Sequence, residues 1–197
     1  MKHRKMDKLK VFEKEIDFIV NEKIKEFACK AIETIPDYFF SIGASSTSKY
    51  HPTYALGEGG LVRHVRAAVR ILVEMFRMEM FDYFTSDEKD LLIVALLLHD
   101  SIKSGLPKQT FSVANHPLLA VEHIRNNSDL HGIITEEQLE LMLGGIASHM
   151  GKWNLSYDTH EEILPKPKTK FQNMIHLADY LASRKCIIMD FNVEVER

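Results

Sequence analysis

Ten histidines stand in a chain of 197 residues, and what they can do depends on which of them face the interior. His99 and Asp100 close the most apolar run of the sequence, Leu91–Leu98. An ionised aspartate there is costly to bury unless a cation or a strong hydrogen-bond partner offsets it. His64 falls three residues after Leu61, on a stripe continued by Val65, Ala68, Leu72 and Met75. Asp179 sits among Ile175, Ala178, Leu181 and Ala182, again a poor home for an unpaired carboxylate. Three helices thus direct ligand-type side chains inward, and one divalent metal held by neutral imidazole and carboxylate would satisfy all four residues. Ordinary readings exist for each alone. A single histidine on an apolar face is commonly a hydrogen-bonded core residue; Asp100 can cap the loop after its helix; Asp179 can pair with Arg184 or Lys185. The joint order of His, His-Asp and Asp, each on or beside an apolar stripe, favours the metal.

The elements that must position these residues read as helices. Asp7 to Ile35 has helical periodicity through Val11, Ile16, Ile19, Ile24, Phe27 and Ala31, and Pro36 stops it. A long loop follows to residue 60, in which Tyr38, Phe39, Phe40 and Tyr50 favour order. One helix is expected from Leu61 to about Phe81, and another from near Ser86 to His99. The second is apolar all round and so is expected at the centre of a bundle. Further helices are expected from Pro117 to Asn127, from Thr135 (a cap) to His149, and from Phe171 to Met189. Only the tail FNVEVE hints at a strand. The class is all-α, with residues 1–35 as an N-terminal amphipathic extension and 36–197 as the main domain.

Composition narrows the function classes. Hydrophobic residues at 45% and charged residues at 27% are those of a globular protein. A net charge of −3 exerts no global pull on nucleic acid or an anionic membrane, so any polyanion site must be local. No apolar run approaches the roughly 20 residues of a membrane helix, and the N-terminus has no apolar signal region. Two cysteines without a CxxC spacing make no disulfide framework. A reduced, cytoplasmic setting is the expectation.

Three segments, GGLVRHVRAAVRIL, LLIVALLLHDSIK and IHLADYLASR, resemble the signature segments of the HD superfamily of metal-dependent phosphohydrolases, over about residues 36–190. The stretch from Pro36 to His64 is similar to the entry into the catalytic domain of HD-type 3′–5′ exoribonucleases. The resemblance implies a phosphodiesterase-like helical bundle in which His64, His99, Asp100 and Asp179 bind a divalent metal. It also implies that His116 and His149 can hold a second ion, with Asp100 bridging the two; His116 reads equally as a solvent-contacting residue at a helix start, and His123, seven residues on along the same helix face, is in reserve. The sequence departs from the family at Ser101 and Ile102, where a glycine is common before the lysine, and at Ser148-His149, where two histidines are often paired.

The function so implied is hydrolysis of phosphate esters of nucleotides or short RNA or DNA through a metal-activated water, with Asp100 and Lys103 catalytic. The cofactor is one or two ions of Mn, Fe, Mg, Ni or Zn. Lys103 can neutralise charge on phosphoryl oxygens, and Lys152 and Arg63 are further phosphate candidates. Trp153 and Tyr157 can stack on a base or form a hydrophobic lid; Lys166, Lys168 and Lys170 can track phosphates or line a solvated loop. His51 and His176 are read as metal-site neighbours, substrate contacts or core residues, and His3, His131 and His160 as surface residues. Two alternatives stay open: a di-iron oxygenase on an HD scaffold, and a nucleotide-binding module without turnover. A homo-oligomer is compatible with the N-terminal helix; a membrane partner is not expected.

Overall fold

The structure, a computed structural model, describes residues 6–47 and 49–195. Among the described residues eight α-helices run in chain order: α1 (Lys8–Val11), α2 (Glu13–Ile16), α3 (Glu22–Thr34), α4 (Gly60–Met75), α5 (Ser86–Leu98), α6 (His116–Arg125), α7 (Glu136–Ser148) and α8 (Lys170–Ala182). Among the described residues no strand forms, and Leu155 and Glu162 make only an isolated bridge. No helix among them is long and apolar enough to cross a membrane.

The central element is α5, buried from Asp90 to Leu98 and packed on α3, α4, α7 and α8. A helix with no polar face can exist in water only when neighbours cover every side. Its start is fixed by a capping box in which Thr85 Oγ accepts from Glu88 N–H and the Glu88 carboxylate accepts from Thr85 N–H. Around it, α4 packs on α8 and α7 on α6 and α8. Gly145 permits the α7–α8 contact, because a Cβ there would stand 2.2 Å from Ile175 Cδ1.

The N-terminal segment is three helices rather than one. Asn21 starts α3 by accepting from the N–H groups of Lys23 and Ile24. The chain before it is held open by Asp90 of α5, whose Oδ2 accepts from Val20 N–H at 3.0 Å and Asn21 N–H at 2.7 Å. A helical period alone does not reveal a break imposed by a distant carboxylate. Phe12, Ile16, Ile19, Ile24 and Phe27 lie in the same hydrophobic core as α5. Below them the buried Glu15 carboxylate accepts from Arg66 Nε at 3.1 Å and Arg70 Nε at 3.2 Å, both on α4.

Two helices end earlier than their apolar periodicity suggests. After Met75, α4 gives way to a short 3-10 turn at Glu79–Phe81. After Ala182 the chain leaves α8 and folds back over α4, with Phe191 under the Arg66 and Arg70 guanidinium groups and Arg70 donating to Val193 O. The expected tail strand does not form over residues 191–195; residue 196 lies outside the described residues, as does His3.

Candidate metal centre

The bundle brings one residue from each of several helices to a common point. His64 projects from α4, His99 and Asp100 follow the last residue of α5, His149 follows α7, Asp179 lies on α8, and His116 opens α6. His64, His99, Asp100, His116 and His149 are all at most 2% exposed. Buried polar groups are ordinarily paired, yet Asp100 Oδ1 and His99 Nε2 have no hydrogen-bond partner.

The distances divide these side chains into two sets that share Asp100. In the first, His64 Nε2 is 2.9 Å from Asp179 Oδ1 and 3.9 Å from Asp100 Oδ2. His99 Nε2 is 3.4 Å from Asp100 Oδ2 and 3.5 Å from Asp179 Oδ1. In the second, Asp100 Oδ1 is 2.9 Å from His116 Nε2 and 3.7 Å from His149 Nε2, and the two histidine nitrogens are 3.3 Å apart. Adjacent ligands around one ion with bonds of about 2.1 Å lie about 3 to 3.5 Å apart. Ligand atoms of His64, His99 and Asp179 all lie within 4.8 Å of one another, as do those of His99, Asp100 and His149, so His99 stands between the two sets.

Ring orientation points the same way. Nδ1–H of His99 donates to Leu96 O at 2.7 Å, that of His116 to Val113 O at 2.8 Å, and that of His149 to Ile146 O at 2.7 Å. With Nδ1 so committed, Nε2 is the ring atom that each of the three histidines turns toward the carboxylates. Two carboxylates face one ammonium and the Nε2 atoms of three rings, so the pocket attracts positive charge, whether a cation or a proton on His99. Burial disfavours a charged His99, but Asp100 and Asp179 outweigh it and lift the imidazole to about 10. Both carboxyls lie well below the usual range despite burial, Asp100 through Lys103 and His99, Asp179 through His64 and His99. His149 is pushed down to about 4 by burial, only partly opposed by Asp100, and so stays a neutral donor. The residues therefore fit divalent-metal coordination by imidazole and carboxylate.

The ammonium is Lys103, whose Nζ donates to Asp100 Oδ2 at 2.6 Å. Burial works against its charge, but Asp100 and Asp179 raise its pKa above that of an ordinary lysine. Ser101 and Ile102, in place of the usual glycine, are both buried and leave that reach intact. The loop beyond is clamped by Tyr38, whose hydroxyl donates to Gly105 O at 2.9 Å and accepts from Ser104 N–H. Nothing in the spacing of Tyr38 announces that role.

Other expected residues are placed differently. Arg63 donates to the carbonyls of Tyr54, Leu56 and Glu58, so it holds the loop before α4 rather than facing the cluster. Lys152 lies over the Trp153 ring at 4.9 Å, beside the centre and not in it. His123 turns away to Thr34 and His131 to Arg125 O. His51 stands edge-on to His64, ring centroids 4.9 Å apart, and burial, His64 and Lys103 push it down to about 3. His176 Nδ1–H donates to His149 O at 2.7 Å, tying the second set to α8. Gly151 makes room for that ring, since its φ is +60° and a Cβ there would fall 2.2 Å from His176 Cε1.

Comparison with known proteins adds one family. The model described as HD domain matches residues 61–184, more than half of the chain and a span that holds all six ligand candidates. No curated protein and no solved structure matches the chain.

Proposed function

This chain belongs to the HD domain family, a superfamily of metal-dependent phosphohydrolases whose domains bind divalent metals, and we propose that it hydrolyses phosphate esters of nucleotides or short oligonucleotides. The observation that carries the reading is the division of labour in Asp100: Oδ2 faces His64, His99 and Lys103, while the otherwise unpartnered Oδ1 faces His116 and His149. Divalent ions at such a paired site acidify water and offset charge on both the entering and leaving oxygens of phosphoryl transfer.

The chain's own residues supply the rest. Asp100 and Asp179 remain ionised and hold the positive charge in place. The carbonyls of Leu96, Val113 and Ile146 fix three rings, so little reorganisation is needed when substrate arrives. Lys103 stays protonated and is close enough to exchange part of its contact with Asp100 for a phosphoryl oxygen. That cation favours a phosphate ester over the oxygenase chemistry that a pair of iron ions also supports.

The test is hydrolysis of a panel of nucleoside monophosphates, cyclic nucleotides and dinucleotides by protein loaded with Mn²⁺. Turnover is expected with at least one class, and its loss in His99→Ala and in Asp100→Ala variants that remain folded by circular dichroism. Protein carrying both ions yet inert across the panel would refute the reading.

A further inference from the structure

Beside the metal centre lies an aromatic pair that the ligand set does not use. Trp153 is 46% exposed and stacks on Tyr180, with centroids 5.8 Å apart and planes 18° from parallel. His176 touches both rings at its edge. The rings are wired to the ligands at both ends: Trp153 follows His149 by four residues, and Tyr180 follows Asp179 directly. Two cations rest on the faces, Lys152 at 4.9 Å from the Trp153 centroid and Arg184 at 4.2 Å from that of Tyr180.

The loop that carries Trp153 is fastened. Asn154, 1% exposed, donates to Glu162 Oε1 and Leu164 O, and its carbonyl accepts from Ile163 and Leu164 N–H. A large ring held rigid, half in solvent and parallel to a second ring, is a poor way to fill a core. It is a good way to receive a planar heterocycle, because the platform loses little freedom when a base adds to it. Arg184 is held against Tyr180 by its hydrogen bonds to Tyr180 O and Ser183 Oγ, whereas the Lys152 ammonium can swing from the outer face of Trp153 to an arriving phosphate and leave that face to the base.

We infer that Trp153, backed by Tyr180, forms a nucleobase shelf, with Lys152 as its phosphate-seeking rim. The inference rests on the phosphohydrolase reading for its purpose and names the residues that hold the base of the nucleotide. Stacking accepts every base, with purines preferred for their larger rings.

Trp153 is the only tryptophan in the chain, so its fluorescence reports from the shelf. In Mg²⁺-loaded protein, AMP, GMP, CMP and UMP are expected to quench it, the purines at lower concentration, whereas ribose 5-phosphate leaves it unchanged. Tyr180→Leu is expected to weaken AMP binding about tenfold, and Tyr180→Phe to keep it, because stacking needs the ring and not the hydroxyl. Calorimetry with Trp153→Leu repeats the test without the fluorophore. Absence of quenching by all four nucleotides, equal binding of ribose 5-phosphate, or unaltered affinity in both leucine variants overturns the shelf. Equal hydrolysis of AMP and ribose 5-phosphate with an unquenched tryptophan removes the shelf and leaves the hydrolase. Quenching without turnover of any ester removes the hydrolase and supports the shelf.

Discussion

At the scale of single residues, the centre is organised by which atom of each ring or carboxylate is already committed. Histidines whose Nδ1–H groups are held by main-chain carbonyls offer Nε2 and nothing else. Lys103 brings an ammonium to the centre, charge of the sign a phosphate needs. Its replacement by methionine keeps the stem and removes the ammonium, and so is expected to lower kcat by about 10²-fold, the range seen when a preorganised donor is lost. Metal content should be retained, as measured by elemental analysis, since Lys103 is not a ligand candidate. Loss of metal together with activity would show instead that its hold on Asp100 builds the site. Much of this was legible in the sequence, because His64, His99, Asp100 and Asp179 each violate an apolar context. Arg63 was misplaced for a physical reason: an arginine beside a ligand looks the same whether it meets a phosphate or three carbonyls of its own loop.

At the scale of elements, the placement of ligands depends on helices whose ends are pinned by side chains from elsewhere. The continuous apolar run identifies α5 as central from sequence alone, and the ends of α7 follow from Thr135 and from His149. The break between α2 and α3 does not, because it depends on Asp90, 70 residues from Val20. Nor does the sequence reveal that the N-terminal helices grip α4 through Glu15. Replacing Glu15 with alanine leaves Arg70 buried without its carboxylate, which is expected to cost about 3 kcal/mol, read by urea denaturation. Because α4 carries His64, the variant should also bind metal more weakly. An unchanged urea midpoint would mean the N-terminal helices contribute little to the bundle.

For the whole molecule, the account turns on charge. The buried Asp100, the part-buried Asp179, four inward histidines and one lysine have been gathered by a helical core that would be simpler without them. Their burial costs stability unless positive charge completes the set. The family match covers the span from Leu61 to Arg184, while Glu15 and Tyr38, which steady that span, lie before it. The most direct measurement is anomalous scattering at the manganese edge from crystals equilibrated with Mn²⁺. Two peaks are expected, one among His64, His99, Asp100 and Asp179, the other among Asp100, His116 and His149. Crystals saturated with the metal that show no peak at either position would contradict the account.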